Sequence, residues 1–306
     1  MDNLELIKDL QNDMPESIAA IGYGSGVFKQ TGYDKNEKPD KDIILVVEDF
    51  KQFLIDDYKM NPNHFSDDFN PNILYMKKEK NKFYNNLGCL KFYKDNIRFK
   101  LMIISKEALD FDLRTWKHFG MAGRLTKPIL YDNIPEELET SIKKNRQNAL
   151  ITTLLYLKDR NITPNRFYKT LAKLTYMNDF RTILPGEKKT KSSDIVDGAF
   201  EEFHKIYKEN EIINLEHEIA INNLPIEYIN ELPTNLKQAI YNGLKINHAY
   251  QITKNDAEKI SNIIEKYIKD TNFINSIYLA LSSSATLGAK ESVRHGIAKV
   301  KKHFSR

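Results

Sequence analysis

The stretch IAAIGYGSGVFKQTGYDKNEKPDKDIILVVED, residues 18–49, decides how this chain folds. It opens on an apolar run, passes Gly22, Gly24 and Gly26 within five residues, and closes on a second apolar run. Short apolar runs bounded by turn residues predict buried strands, here IAAIGYG and IILVVED. Between them Asp40 and Asp42 stand one residue apart, at the start of the second strand. Alternate residues of a strand face one side, so the two carboxylates share a side and Lys41 points away. One reading is a phosphate-binding turn, because glycine lets backbone N–H groups approach an anion without a Cβ clash. Two carboxylates so placed can share a Mg²⁺ that bridges phosphates. The other reading is a polar loop between two strands. No GK[ST] follows the glycines, which excludes a P-loop, and a strand rather than a helix comes next, a poor fit to a dinucleotide fingerprint.

Working outward, residues 4–12 predict a short helix and FKQFLIDDYKM (50–60) a second one. KFYNNLGCLKFY (82–93) and NIRFKLMIIS (96–105) read as two strands joined at 94–96 in a hairpin, followed by the helical KEALDFDLRTW. After Lys127-Pro128 the pattern turns helical: 135–159 with Pro135 in its first turn, a helix with Pro164 near its start, then 194–209, 234–248 and most of 256–303. The expected fold class is α+β, with three parts. Residues 1–130 form a mixed-sheet domain, 131–230 a mainly helical domain, and 231–306 a helical C-terminal region.

The chain has 306 residues, 41% hydrophobic, so it can bury sizeable cores. Lys and Arg total 46 against 42 Asp and Glu; this formal charge of +4 gives no argument for a nucleic-acid partner. The single cysteine, Cys89, excludes a disulfide framework and a Cys-based zinc site and fits a reducing compartment. The N-terminus is acidic and amphipathic, unlike a signal peptide or a typical mitochondrial presequence. No apolar stretch approaches the ~18–20 residues a spanning helix needs. A soluble or surface-attached protein is expected.

Gly-Ser after a strand, then Asp-x-Asp opening the next, is the arrangement of polymerase-β-type nucleotidyltransferases. The resemblance becomes specific with YGSGVFKQ (23–30). It is similar to the signature of the mitochondrial translocator-assembly-and-maintenance family of phosphatidate cytidylyltransferases, peripheral CDP-diacylglycerol synthases. DIILVVED (42–49), NPNHFS (61–66), KFYNN (82–86), WKHFGMAGRLTKPI (116–129) and LTYMNDFR with GEKKTK (174–191) resemble further blocks of that family, in its order. WKHFGMAGRLTKPI is the most specific of them, and ELPTNLKQAI (231–240) a weaker echo.

The resemblance implies a polymerase-β-like nucleotidyltransferase domain followed by a helical domain of winged-helix type, in a bacterial homologue. It implies transfer of cytidylyl from CTP to phosphatidate with Mg²⁺ as cofactor, and CTP, phosphatidate and an anionic membrane surface as partners. Asp42, Lys100, Arg124 and Asp179 are the expected catalytic residues. Tyr23, Gly24, Ser25, Gly26, Lys29, His64, Lys189 and Lys191 are the expected nucleotide-binding residues, and Asp40 with Asp42 the metal ligands. Lys100 lies inside the apolar run IRFKLMII, where related folds often carry a third carboxylate. A half-buried lysine is costly unless paired.

The bland readings are a core or helix-end histidine for His64 and solvated cations for Arg124, Lys127, Lys189 and Lys191. The basic tail GIAKVKKHFSR suggests Lys299, Lys301, Lys302 and Phe304 as membrane contacts, or else a frayed helix end. The expected location is cytoplasmic, on the inner face of a bacterial cell membrane. Two other functions fit parts of the pattern: a nucleotidyltransferase with a soluble or nucleic-acid acceptor, and a non-catalytic nucleotide-binding assembly factor.

Overall fold

The structure is a computed structural model that describes residues 2–28, 31, 39–65, 67, 69–70, 83–157, 161–180, 190–208, 210, 212–215, 219–220 and 226–287, with the backbone alone at 161, 219–220 and 280–287. Five strands form a mixed sheet: β1 (Ala19–Tyr23), β2 (Lys41–Val47), β3 (Leu87–Lys94), β4 (Ile97–Ser105) and β5 (Ile129–Leu130), in the order β3-β4-β2-β1-β5. β2 runs parallel to β4, with Asp42 opposite Lys100, while the other pairings are antiparallel. The β3–β4 hairpin turns at Asp95 and Asn96, both at positive φ (51° and 61°), as a two-residue turn matched to strand twist requires.

The two sheet faces bury different cores. Ala20, Ile43, Leu45, Phe92, Phe99 and Leu101 point to one face, closed by helices Asn3–Asn12 and Phe50–Met60. Each helix starts on an aspartate cap: Asp2 accepts from Leu4 and Glu5 N–H, Asp49 from Lys51 and Gln52. The opposite face carries Ile21, Ile44, Val46, Cys89, Met102 and Ile104. One apolar cluster continues from there through Trp116 and helices Glu136–Leu157, Pro164–Leu174, Thr234–Leu244 and Ala257–Leu287. The helical half of the chain therefore caps the sheet face on which Asp42 lies.

The α+β class and the mixed sheet are as expected, and four local features differ. Residues 84–86 form a 3-10 turn and β3 begins only at Leu87, because Phe83 stacks on His118 (4.2 Å) and Tyr84 on Tyr278 (4.4 Å), drawing this segment toward the helices. The helix expected over 194–209 is two, Lys191–Gly198 and Phe200–Tyr207, broken at Ala199 after Gly198. Helix Thr234–Leu244 stops where Lys245 turns left-handed (φ 58°). Strand β5 and a second sheet, β6 (Asn161–Ile162) with β7 (Ile219–Ala220), were not expected, since two residues show no periodicity.

Behind the sheet, Asp57 is fully buried and accepts from Asn61 Nδ2 at 2.9 Å, with His64 Nδ1 at 3.1 Å from its other oxygen. Asp57→Ala removes the carboxylate partner of His64 and one of the two acceptors of Asn61 Nδ2, which also donates to the Asp13 carbonyl at 3.0 Å. It is expected to lower the urea-unfolding free energy by about 1–3 kcal/mol. A loss under about 0.5 kcal/mol would show that the pair does not hold this corner.

Candidate nucleotide and metal site

The polar end of the capped face is built by register. Counting along β2 and β4 sets Asp40 beside Arg98 and Asp42 beside Lys100, on the side shared with Ile44 and Met102. Both oxygens of Asp40 are engaged by Arg98, Oδ1 by Nε at 2.6 Å and Oδ2 by Nη2 at 2.7 Å. Asp42 Oδ1 lies 3.2 Å from Lys100 Nζ, and both side chains are partly exposed. Lys100 is thus half-buried and paired. On the other flank β1 sets Tyr23 opposite Asp42. Burial first, and then the Asp42 carboxylate, push the Tyr23 phenol above its ordinary range.

Directly after Tyr23 the chain makes a 3-10 turn, Gly24–Gly26, with Gly24 at φ +72°. A Cβ on Gly24 would stand 3.3 Å from Asp42 Oδ2, and one on Gly26 only 2.1 Å from the Asp40 carbonyl oxygen. Both glycines are required by close approach to the start of β2, which brings the turn's backbone against Asp42. Lys41 points away, as alternation predicts, and donates to Gly26 O (2.5 Å) and Asn3 Oδ1 (2.7 Å). Beyond the turn, the Thr31 N–H and hydroxyl donate to the Asp194 carbonyl at 3.1 and 3.3 Å, tying this loop to helix Lys191–Gly198.

A row of cations meets the turn from the helical side. Arg124 stands with its guanidinium carbon 6.0 Å from the Tyr23 ring centre. Lys127 Nζ lies 4.5 Å and Lys191 Nζ 5.3 Å from the Tyr176 ring centre, and Lys127 also donates to Thr175 Oγ1 at 2.8 Å. Burial pushes the Lys127 ammonium below its ordinary range, and Arg124 and Lys191 act in the same direction. The short helix Met121–Leu125 that presents Arg124 is held at both ends. Buried Asp112 Oδ2 accepts from the N–H groups of Met121 (2.8 Å) and Ala122 (2.9 Å). At the far end Arg146 donates to Leu125 O (3.2 Å) and Lys127 O (3.3 Å), and the Tyr207 hydroxyl to Thr126 O (2.6 Å). Trp116 Nε1 donates to Asn145 Oδ1 at 2.7 Å, and Asn145 Nδ2 in turn to Ala122 O at 3.0 Å.

Tyr23, Gly24, Ser25, Gly26, Asp42, Lys100 and Arg124 therefore converge on one end of one face, with Lys191 beyond Tyr176. Asp179 is buried beside Tyr176, whose carbonyl accepts its N–H at 3.3 Å, in a turn against helix Ala257–Leu287. Two expectations need correction. Asp40 is held on both oxygens by Arg98, so as it stands it is not a second metal ligand. His64 is on the opposite face, paired with Asp57 and stacked 3.8 Å from Phe92, a strand residue that points away from Lys100. Lys29, Lys189, Lys299, Lys301, Lys302 and Phe304 lie outside the described residues. Arg98 escaped the sequence analysis, although its spacing to Lys100 matches that of Asp40 to Asp42. Asp112, Arg146 and Tyr207 gave no such signal, because they act through the backbone of a distant segment.

Mg²⁺ takes oxygen ligands and is commonly held by one or two carboxylates together with substrate phosphates. Among the described residues no group of three or more His, Cys, Asp or Glu gathers to hold a metal ion. Asp42 fits the first mode: one partly exposed carboxylate beside a glycine turn.

Comparison with known proteins bears on this geometry. The sequence profile of the family described as "Phosphatidate cytidylyltransferase, mitochondrial" matches residues 5–302. A protein of that name from Schizosaccharomyces pombe is 32% identical over 61% of this chain and 48% of its own length. Another from Saccharomyces cerevisiae is 32% identical over 67% of this chain and 55% of its own length. One from Drosophila melanogaster is 25% identical over 93% of this chain and 94% of its own length. The chain thus spans about half the length of the two yeast relatives. The family match covers nearly the whole chain, and the chain belongs to that family. The expectation of a cytoplasmic enzyme on the inner face of a bacterial cell membrane is overturned by these relatives, which are eukaryotic and named mitochondrial.

Arg146→Met is expected to loosen the Arg124 segment while keeping the sheet intact. Affinity for CTP, tried as the nucleotide that the relatives' name implies, should fall about tenfold in an equilibrium titration, since small misplacements of a charged clamp are costly. Unchanged affinity with a clear loss of thermal stability would make Arg146 a purely structural residue.

Proposed function

We propose that this member of the family transfers the cytidylyl group of CTP to phosphatidate, giving CDP-diacylglycerol and pyrophosphate. The observation that carries the reading is the line across one sheet face, Gly24–Gly26 turn, Asp42 and Lys100, with Arg124 held over Tyr23. The phosphatidate phosphate attacks the α-phosphorus of CTP. A new P–O bond forms opposite the bond to the β-phosphate, and that bond breaks as pyrophosphate leaves. A phosphate monoester, with a second pKa of roughly 6, is already ionised and needs no general base. That suits a strand position holding Lys100 where related folds place a third carboxylate.

Catalysis then rests on positioning and charge neutralisation. The N–H groups of the Gly24–Gly26 turn face the β- and γ-phosphates. Arg124, joined by Lys127 and Lys191, takes charge on the leaving pyrophosphate, and Lys100 takes charge on the transferred group. Lys29 and Lys189 belong to the same reading. Asp42 would hold Mg²⁺ with substrate oxygens, and the ion would supply further neutralisation of the phosphates. Asp179 would fix the turn beside Tyr176. The division near residues 130 and 230 also belongs to this proposal, with the site between the first two parts.

Phosphatidate resides in a bilayer, so the enzyme would work at an anionic membrane surface. Helix Ala257–Leu287 supports this: Asn272, Asn275 and Ser276 are buried, while Ile274 and Tyr278 are 52% and 40% exposed. These two lie toward its C-terminal end, while its earlier exposed positions, Glu258, Asn262, Lys266 and Asp270, are polar. No described helix is long and apolar enough to cross a membrane. The chemistry would serve a bacterial family member and a mitochondrial one alike, and the relatives' names favour the mitochondrion.

The test is purified protein with CTP, Mg²⁺ and phosphatidate in mixed micelles, with products identified by mass. CDP-diacylglycerol and pyrophosphate should appear in equal amounts. Transfer to RNA instead, or none with any nucleotide, would overturn the reading. Asp42→Asn should lower kcat by about 100- to 1000-fold, the scale of removing one charge-stabilising group. Chelation should abolish turnover, and added Mg²⁺ should restore it. Ile274→Glu should reduce co-sedimentation with anionic vesicles while leaving turnover of a short-chain soluble phosphatidate unchanged; undiminished sedimentation would remove this helix from the membrane contact.

A further inference from the structure

The charged end of the sheet face is unbalanced. Two carboxylates, Asp40 and Asp42, are matched by Arg98 and Lys100. A third cation stands beside them: Lys91 on β3 is the register partner of Lys100, on the same face and only partly exposed. Like charges directly opposite across two strands destabilise a sheet. Among the described residues the Lys91 ammonium makes no ion pair within contact distance. Burial pushes it below its ordinary range, and Lys100 and Arg98 push the same way. Two facing, partly buried lysines on adjacent strands, with Asp42 on the far side of Lys100, are the polarity expected where an anion docks.

We propose that Lys91 and Lys100 form the subsite for the acceptor, a phosphate monoester dianion held between two ammonium groups. The inference rests on the cytidylyl-transfer reading and gives it a direction. In-line displacement sets the nucleophile and the leaving group on opposite sides of the α-phosphorus. The glycine turn and Arg124 lie on the β1 side of Asp42, which places the pyrophosphate there. The acceptor then lies on the other side, over β4 and β3, where Lys100 and Lys91 are. Neighbouring strands are about 4.8 Å apart, a span that one phosphate bridges with its oxygens.

The pair also sets specificity. Two ammonium groups favour a phosphate dianion over a neutral hydroxyl acceptor, which would need a base that this position does not hold.

The test compares wild type with Lys91→Gln and Lys91→Arg. Lys94→Gln is the control, because Lys94 is ion-paired with Asp13 at the far end of the same strand. With soluble dihexanoyl phosphatidate, Lys91→Gln should raise KM for the acceptor about tenfold or more, the cost of one charge-assisted contact. KM for CTP should stay within about twofold, Lys91→Arg should recover most of the loss, and Lys94→Gln should match wild type. An unchanged acceptor KM, or equal rises for acceptor and CTP, would overturn the subsite while leaving the activity in place. Binding of dihexanoyl phosphatidate without nucleotide, followed by phosphorus NMR, separates the two claims. Wild type that makes no CDP-diacylglycerol but binds this probe more tightly than Lys91→Gln would overturn the activity and keep the subsite. Equal binding would overturn the subsite.

Discussion

A one-residue slip between β2 and β4 would turn Asp42 into the apolar core behind the sheet and bring Ile43 out beside Arg124. The parallel register that sets Asp42 against Lys100 is therefore the constraint on which the site depends. It is fixed from both sides. Ile43, Leu45, Phe99 and Leu101 fill one core, and Ile44, Val46, Met102 and Ile104 the other, so neither strand can shift without exposing one set. With that register in place, alternation alone produces the charge ladder Asp40–Arg98 and Asp42–Lys100 at the open end.

The helical half holds the Arg124 segment in place. Asp112 takes the first N–H groups of helix Met121–Leu125, while Arg146 and Tyr207 take the carbonyls after it. These are the groups a short helix leaves unsatisfied, and here two buried side chains, Asp112 and Tyr207, and the partly buried Arg146 supply the partners. Arg124 thereby reaches Tyr23 from a segment with little freedom, which lowers the ordering cost of binding a triphosphate. The same contacts join the segment after the sheet to the helices that follow it.

Much of this was legible in the sequence. The two apolar runs around Gly24 and Asp42 announced adjacent strands, and the glycines announced a close approach that the structure places against Asp40 and Asp42. Hairpin β3–β4 and the long helices followed from periodicity and turn residues. What escaped was set by long-range pairing. Asp40 was expected as a second metal ligand beside Asp42, and the structure pairs it with Arg98. His64 was expected in the nucleotide site from its motif, yet helix Phe50–Met60 carries it behind the sheet to Asp57. Lys91 was not singled out, because only strand pairing reveals that it faces Lys100.

The most direct measurement is a crystal structure with Mg²⁺ and a CTP analogue whose α–β bridge is methylene. The account predicts the β- and γ-phosphates on the Gly24–Gly26 turn beside Arg124. The α-phosphate should lie next to Asp42, and the side over Lys100 and Lys91 should stay open for the acceptor. A triphosphate bound on the His64 face, or one lying across Lys91 with the glycine turn untouched, would contradict it.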